Sequence, residues 1–403
     1  MKQGFWSAGH NATLFSALLY FDISFMVWIM MGPLAIQIAS DFYLTPSQKG
    51  LMVAVPVLSG AILRIFMGIL VDQLGPKMAG IVGQVIVIIS LFCAWSLGIQ
   101  TFEHILILGI FLGFAGASFA VALPLASRWY PPRHQGTALG IVGAVILGPA
   151  LASLFAPSIA LAYGWNNVFG LVLIPLTIVF LLYLYFAKDA PNIIAPKKLS
   201  EYIGVLRDED AWWFMFFYSV TFGGFVGLAS SLPVYFNDMY ALSPVHAGYF
   251  TAICIFAGSL MRPFGGRLAD KQGGIRTLTV MYILAGLFLA LLSIGVENQF
   301  VGLVISIILM IVFGMGNGAV FQLVPQRFRK EIGIMTGLVG MAGGVGGFYL
   351  SSSLGYSKEL TGHYSIGMLF FSGLVFLALF GLMAVKKRWR TTWGSALVTS
   401  AKV

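Results

Sequence analysis

Charge is what this sequence lacks most. Its 403 residues include 23 lysines and arginines and only 14 aspartates and glutamates, 9% of the chain, against about 25% in an ordinary soluble domain. So few charges cannot clothe a water-soluble particle of this size, which excludes a cytosolic enzyme and a disordered chain. Cysteine is scarce as well. Cys93 and Cys254 each lie in an apolar run, which excludes a disulfide scaffold and a thiolate metal site and predicts two buried, inert thiols. No polar stretch is long enough for a separate soluble domain. The apolar runs do not alternate with period two, which excludes a transmembrane barrel. Walker loops, metal-ligand clusters and catalytic triads are missing, so no ATP-driven pump, no enzyme and no cofactor are expected.

What remains is hydrophobic: 59% of the residues, with a mean hydropathy of +0.92. About 20 consecutive apolar residues span a bilayer as a helix. Twelve such runs occur, near 12–38, 50–71, 78–99, 104–126, 135–161, 166–187, 211–235, 246–268, 275–296, 299–324, 332–355 and 364–385. The first is not followed by a small-residue cleavage site and is expected to remain as a span. The longest polar connection, 188–210, divides the chain into six-span halves, 1–187 and 211–403. The expected fold is an all-α membrane protein of twelve transmembrane helices in two pseudo-symmetric six-helix halves.

Lysine and arginine set the orientation. Nineteen, among them Lys77, Arg128, Lys188, Arg207, Arg276, Arg327 and Arg388, fall on the side shared by the termini and the central linker, and only Lys49 and Lys358 on the other. Both termini are therefore expected on the cytoplasmic side of the cell inner (plasma) membrane. The pI near 9.5 reflects this bias, so the expected partner is the lipid bilayer and not nucleic acid. Trp212, Trp213 and Trp389 read as an interfacial aromatic belt, and the five histidines fall at helix ends or in loops.

Two arginines belong to no loop. The stretch from Arg64 through Phe66, Gly68, Leu70 and Asp72 to Gly75 recurs as Arg262, Phe264, Gly266, Leu268, Asp270 and Gly273, at a constant offset of 198 residues. Such a repeat implies homologous halves related by an axis along the membrane normal. Asp72 and Asp270, at the helix ends, are gate candidates. Arg64 and Arg262 lie two turns deeper, where an arginine costs at least about 2.5–3.5 kcal/mol. Snorkelling would explain either alone; equivalent placement in two halves points both at a shared central cavity. Carboxylates are almost missing from the spans, Asp22 being the clear exception. Two guanidiniums with so little compensation call for an anion, and their planar forks suit a small planar oxyanion.

Further motifs carry a family resemblance. Gly113-Phe114-Ala115-Gly116-Ala117-Ser118-Phe119-Ala120, followed by Arg128-Trp129-Tyr130-Pro131, Gly136, Gly140 and Gly143, resembles the first signature of the nitrate/nitrite porters of the major facilitator superfamily. Gly340-Met341-Ala342-Gly343-Gly344-Val345-Gly346-Gly347-Phe348 resembles the second. Gly316-Asn317-Gly318-Ala319-Val320-Phe321-Gln322-Leu323-Val324-Pro325 is similar to the tenth helix of bacterial members, and Tyr20 to Trp28 also fits. The resemblance implies that Arg64 and Arg262 bind nitrate, that Phe119, Tyr218 and Phe222 are aromatic contacts, and that Gly143 and Gly343 of the two signatures line the site. Aromatic faces would hold a flat anion and exclude tetrahedral ones such as sulfate, with the tyrosine hydroxyl as one more donor. One departure stands out. Where the family often has an asparagine in the fifth helix, this chain has Leu147, and Asn317 or Gln322 is the candidate replacement.

The expected function is secondary active transport of nitrate, and of nitrite as well, by a functional monomer. An anion entering a negative interior is opposed by about 2.3 kcal/mol per 100 mV. Uptake therefore needs co-transported protons, with Asp22 as the coupling candidate, or exchange for an internal anion. The alternatives are nitrate/nitrite antiport, a carrier of another small anion, and, less favoured, an anion channel or a sensor.

Overall fold

The computed structural model describes residues 5–131, 134, 138, 141–143, 147–191, 199–328 and 331–394. Gly136, Gly140 and Arg133, together with the basic Lys2, Lys197, Lys198, Arg329, Lys330 and Lys402, lie outside the described residues.

Twelve spans are long and apolar enough to cross a membrane, one for each apolar run. The first consists of α1 (Asn11–Trp28) and α2 (Met31–Phe42), the second of α3 (Pro46–Leu74) and the third of α4 (Pro76–Leu97). The fourth consists of α5 (Phe102–Gly116) and α6 (Phe119–Ser127). α7 (Gly148–Tyr163) and α8 (Trp165–Phe186) belong to the fifth and sixth. The short α9 (Leu199–Leu206) lies in the linker, a helix that the polar composition does not announce. The last six spans are α10 (Glu209–Tyr240), α11 (Pro244–Gln272), α12 (Gly274–Ser293), α13 (Gln299–Arg327), α14 (Ile332–Thr361) and α15 (Ser365–Thr391).

Helix ends follow local chemistry. Thr45 caps α3 in a reciprocal capping box with Gln48, and Pro46 opens the first turn, where its missing N–H has no consequence. Gly75 and Gly273 occupy matching positions of the repeat with φ of 84° and 101°. Only glycine takes that conformation without strain, so the recurrent loop glycine is the joint between α3 and α4 and between α11 and α12.

Small residues bring the first six spans against the last six, in the manner of lipid-embedded bundles. Along α3 and α14, Gly50 faces Gly355, Val57 faces Gly347 and Ala61 faces Gly344, down to Arg64 and Gly340. One turn further, a Cβ added at Gly337 would meet nothing within 4 Å among the described residues. Gly32 of α2 meets the Ser230 backbone of α10, and Gly248 of α11 meets Ser153 and Pro157 of α7. The end of the bundle away from the linker is closed by Lys49 with Asp238 at 3.9 Å and by the Ser47 amide donating to Glu359 at 2.8 Å. α10 is the most enclosed span, 89% buried over its apolar window.

Two expectations are corrected here. Cys254 is buried, but Cys93 is exposed on the outer face of α4, because hydropathy does not distinguish lipid-facing from core positions. Trp389 is not part of an interfacial belt: it is fully enclosed and donates to Asp210 at 2.6 Å. Trp212 is exposed.

Candidate functional site

Two helix breaks shape the centre of the bundle. The first span is interrupted at Ile29 and Met30, the fourth at Ala117 and Ser118. At the second break the Ala120 amide bonds to the Ala117 carbonyl. The Gly116 carbonyl accepts instead from Arg64 Nε at 3.2 Å.

Arg64 is 1% exposed. Its Nη1 donates to the Gly340 carbonyl of α14, while Nη2 is buried and has no hydrogen-bond partner. The guanidinium lies 5.2 Å from the ring centroids of both Trp28 and Phe119 and 5.3 Å from that of Phe222. Arg262 is half-buried and donates through Nη2 to the Tyr218 hydroxyl at 3.0 Å. Tyr218 and Phe222 stack at 5.0 Å with ring planes 9° apart, so the two arginines approach the same aromatic pair from different helices. Among the described residues neither arginine has a carboxylate partner; the ion pairs are made elsewhere, by Lys49, Arg128, Arg327 and Arg388. Arginine keeps its proton in proteins, and a buried unpaired charge is expensive. Aromatic faces and backbone carbonyls offset part of that cost. Nη2 still has an unused donor.

The sequence candidates distribute as follows. Arg64, Arg262, Phe119, Tyr218 and Phe222 come together. Gly343 joins them, since a Cβ there would fall 2.8 Å from both the Tyr218 and Phe222 rings. Gly143 has no such neighbour among the described residues, where a Cβ would meet nothing within 4 Å. Asn317 is buried, with its Oδ1 unpartnered. Asp22 is half-buried and accepts at Oδ1 from the Gly148 amide at 2.8 Å, at the start of α7. Asp72 pairs with Arg128 at 3.1 Å, whereas Asp270 is exposed and has no ion pair among the described residues. The Tyr218 hydroxyl accepts from Arg262, which leaves its own proton for a further acceptor.

Several neighbours had no role assigned from sequence. Phe321 lies 5.9 Å from the Arg262 guanidinium and meets Tyr218 edge-on at 5.0 Å. Trp28 underlies Arg64. The carbonyls of Gly116 and Gly340 were invisible in principle, because every residue has one and only the breaks and close helix approach bring them to bear.

A family profile described as Major Facilitator Superfamily matches residues 16–351. The chain is 34% identical over 347 residues to the "Nitrite extrusion protein" of Bacillus subtilis (strain 168), covering 86% of this chain and 87% of that protein. It is 34% identical over 368 residues to the "Probable nitrate transporter NarT" of Staphylococcus carnosus (strain TM300), covering 91% and 92%. It is 29% identical over 412 residues to the "Probable nitrate/nitrite antiporter NarK1" of Thermus thermophilus, covering 93% and 90%.

Proposed function

Because the chain belongs to the Major Facilitator Superfamily, whose members are transporters and not enzymes, we propose that it carries nitrate and nitrite across the membrane by alternating access. The observation that carries this reading is the pair Arg64 and Arg262, both inside the bundle and both without a carboxylate partner among the described residues. A small planar anion offers several acceptor oxygens in one plane, which matches the planar donor fork of a guanidinium. Stacked Tyr218 and Phe222 present a flat wall beside both arginines. A tetrahedral anion has no equivalent fit against that wall. The relatives' names, which mention nitrate and nitrite, support the same substrate class.

In this reading Arg64, Arg262, Phe119, Tyr218, Phe222 and Gly343 form the anion site, with Asn317 nearby in the tenth span. The two moving bodies are 1–187 and 211–403, joined by 188–210. The linker end, which carries the excess of basic residues, is cytoplasmic. Asp72 with Arg128 acts at the gate on that side.

Net uptake uses protons, and Asp22 is the carboxyl that carries them. Nitrate/nitrite exchange is the second reading, favoured by the engagement of Asp22 with the Gly148 amide, a helix-capping task that needs no proton. Counterflow of labelled nitrate in proteoliposomes, with nitrite, chloride, formate and phosphate as competitors, tests the function. Saturable counterflow inhibited by nitrite but not by phosphate is expected. Flux without saturation or trans-stimulation would mean a channel, and equal inhibition by formate or phosphate would mean a carrier for another anion.

A further inference from the structure

The geometry points to Trp28 as the positioning residue for Arg64: its indole wedge fixes the guanidinium in the orientation that receives the anion. This rests on the arginine site proposed above. Trp28 is 0% exposed, at the end of α1 where the first span breaks. Its Nε1 donates to the Pro56 carbonyl of α3 at 2.7 Å. Pro56, Gly60 and Arg64 follow at intervals of four residues, so they form one stripe along α3. The indole lies along that stripe, hydrogen-bonded at one end and with its face toward the Arg64 guanidinium 5.2 Å away at the other.

Room for the ring is made by two glycines. A Cβ at Gly60 would fall 2.7 Å from Nε1, and one at Gly116 would overlap the same edge of the indole. Gly116 is also the residue whose carbonyl holds Arg64 Nε. Trp28, Gly116 and Arg64 are therefore one interlocked unit: moving the ring moves the wall that carries one of the two carbonyl acceptors.

The internal repeat supplies the control. At the offset of 198 residues, Gly60 and Gly116 correspond to Gly258 and Gly314. A Cβ at Gly314 would meet the Gly258 backbone, and one at Gly258 would fall 2.5 Å from the Met310 carbonyl oxygen and 2.7 Å from the Phe225 ring. Arg262 is correspondingly half-buried and held by a side-chain hydroxyl instead of a main-chain carbonyl. The ring on that side, Phe225, has no N–H, so a wedge anchored to the main chain of the arginine's own helix belongs to the Arg64 side. A guanidinium fixed before the anion arrives has less freedom to lose on binding.

The test replaces Trp28 by 3-benzothienylalanine, which keeps the ring shape and removes only the N–H, with Trp28→Phe and Arg64→Lys alongside. Each protein is reconstituted whole, and nitrate counterflow is followed against concentration, with thermal unfolding in detergent. The isostere is expected to raise the half-saturating nitrate concentration about tenfold, the scale of one lost hydrogen bond. Maximal rate and unfolding temperature should stay at wild-type values. Trp28→Phe is expected to shift the half-saturation at least as far. An isostere with wild-type half-saturation overturns the proposal, and so does one that loses rate, affinity and melting temperature together, since that marks a merely structural residue. If Arg64→Lys saturates like the wild type, the arginine site itself falls; a silent isostere beside a dead Arg64→Lys protein removes only the role of Trp28.

Discussion

Arg64 of α3 donates through Nη1 to the carbonyl of Gly340 in α14, and this bond joins the first six spans to the last six at the level of the proposed anion site. The same guanidinium presents an unpartnered Nη2. In the proposed site, anion binding and the contact between the two groups of helices therefore share one side chain. Lysine at position 64 keeps the charge but cannot hold two carbonyls and an anion from one planar fork. Arg64→Lys and Arg262→Lys are each expected to abolish or severely reduce nitrate counterflow while the proteins remain folded. Near-normal saturation curves in both variants would refute the two-arginine site.

The glycines of the two signatures separate sharply. A methyl at Gly343 must displace the stacked Tyr218 and Phe222 rings, each 2.8 Å from the new Cβ, whereas one at Gly143 enters open space. Gly343→Ala is expected to weaken apparent nitrate affinity at least tenfold, about 1.4 kcal/mol, and Gly143→Ala to leave it unchanged. Concentration dependence of counterflow in the two variants decides between this and a symmetric role for both signatures.

Selectivity is assigned to the aromatic wall. Tyr218→Phe removes the acceptor of Arg262 Nη2 and frees that arginine to move, so nitrate affinity should fall by about 1 kcal/mol. Phe119→Ala opens space beside Arg64 and should admit bulkier anions. Competition by sulfate and phosphate is the measurement. If neither variant changes it, these rings serve packing alone.

The proposed function gives Asp22 a proton to carry beside its observed bond to the Gly148 amide, and two substitutions divide these tasks. Asparagine retains an oxygen to accept the Gly148 amide but has no proton to give; leucine has neither. Asp22→Asn should abolish uptake driven by an imposed pH gradient yet preserve nitrate exchange at equal pH. Asp22→Leu should impair both by leaving the start of α7 uncapped. Accumulation that persists in Asp22→Asn would make Asp22 a cap only and favour antiport.

Stability at the linker end rests on Asp210. It is 6% exposed and accepts from Arg327 Nε at 2.8 Å, Arg388 Nη2 at 2.5 Å and Trp389 Nε1 at 2.6 Å, which ties the start of α10 to the ends of α13 and α15. Without Asp210, Arg327 keeps Asp208 and Arg388 keeps Glu209, but the buried Trp389 Nε1–H loses its acceptor. Asp210→Ala is expected to cost about 1–3 kcal/mol, the scale of a buried donor left without its acceptor, read as a lower unfolding temperature in detergent.

The sequence by itself determined the twelve spans, because in a bilayer every backbone polar group must be satisfied within the segment and continuous apolarity leaves only the helix. It also determined the two arginines, since a charge deep in an apolar run stands out and a repeat at fixed offset pairs it with a second. The loop glycines were legible too, although their reason, positive φ at Gly75 and Gly273, was not. Only the tertiary structure decided what surrounds each arginine. Trp28, Phe321 and the carbonyls of Gly116 and Gly340 arrive from four different helices, and no spacing along one helix encodes that meeting. It likewise decided that Gly343 touches the aromatic pair while Gly143 does not, that Cys93 faces outward and that Trp389 is enclosed. Hydropathy measures the preference of a residue for an apolar medium, and in a membrane both the lipid and the protein core provide one; only packing tells them apart.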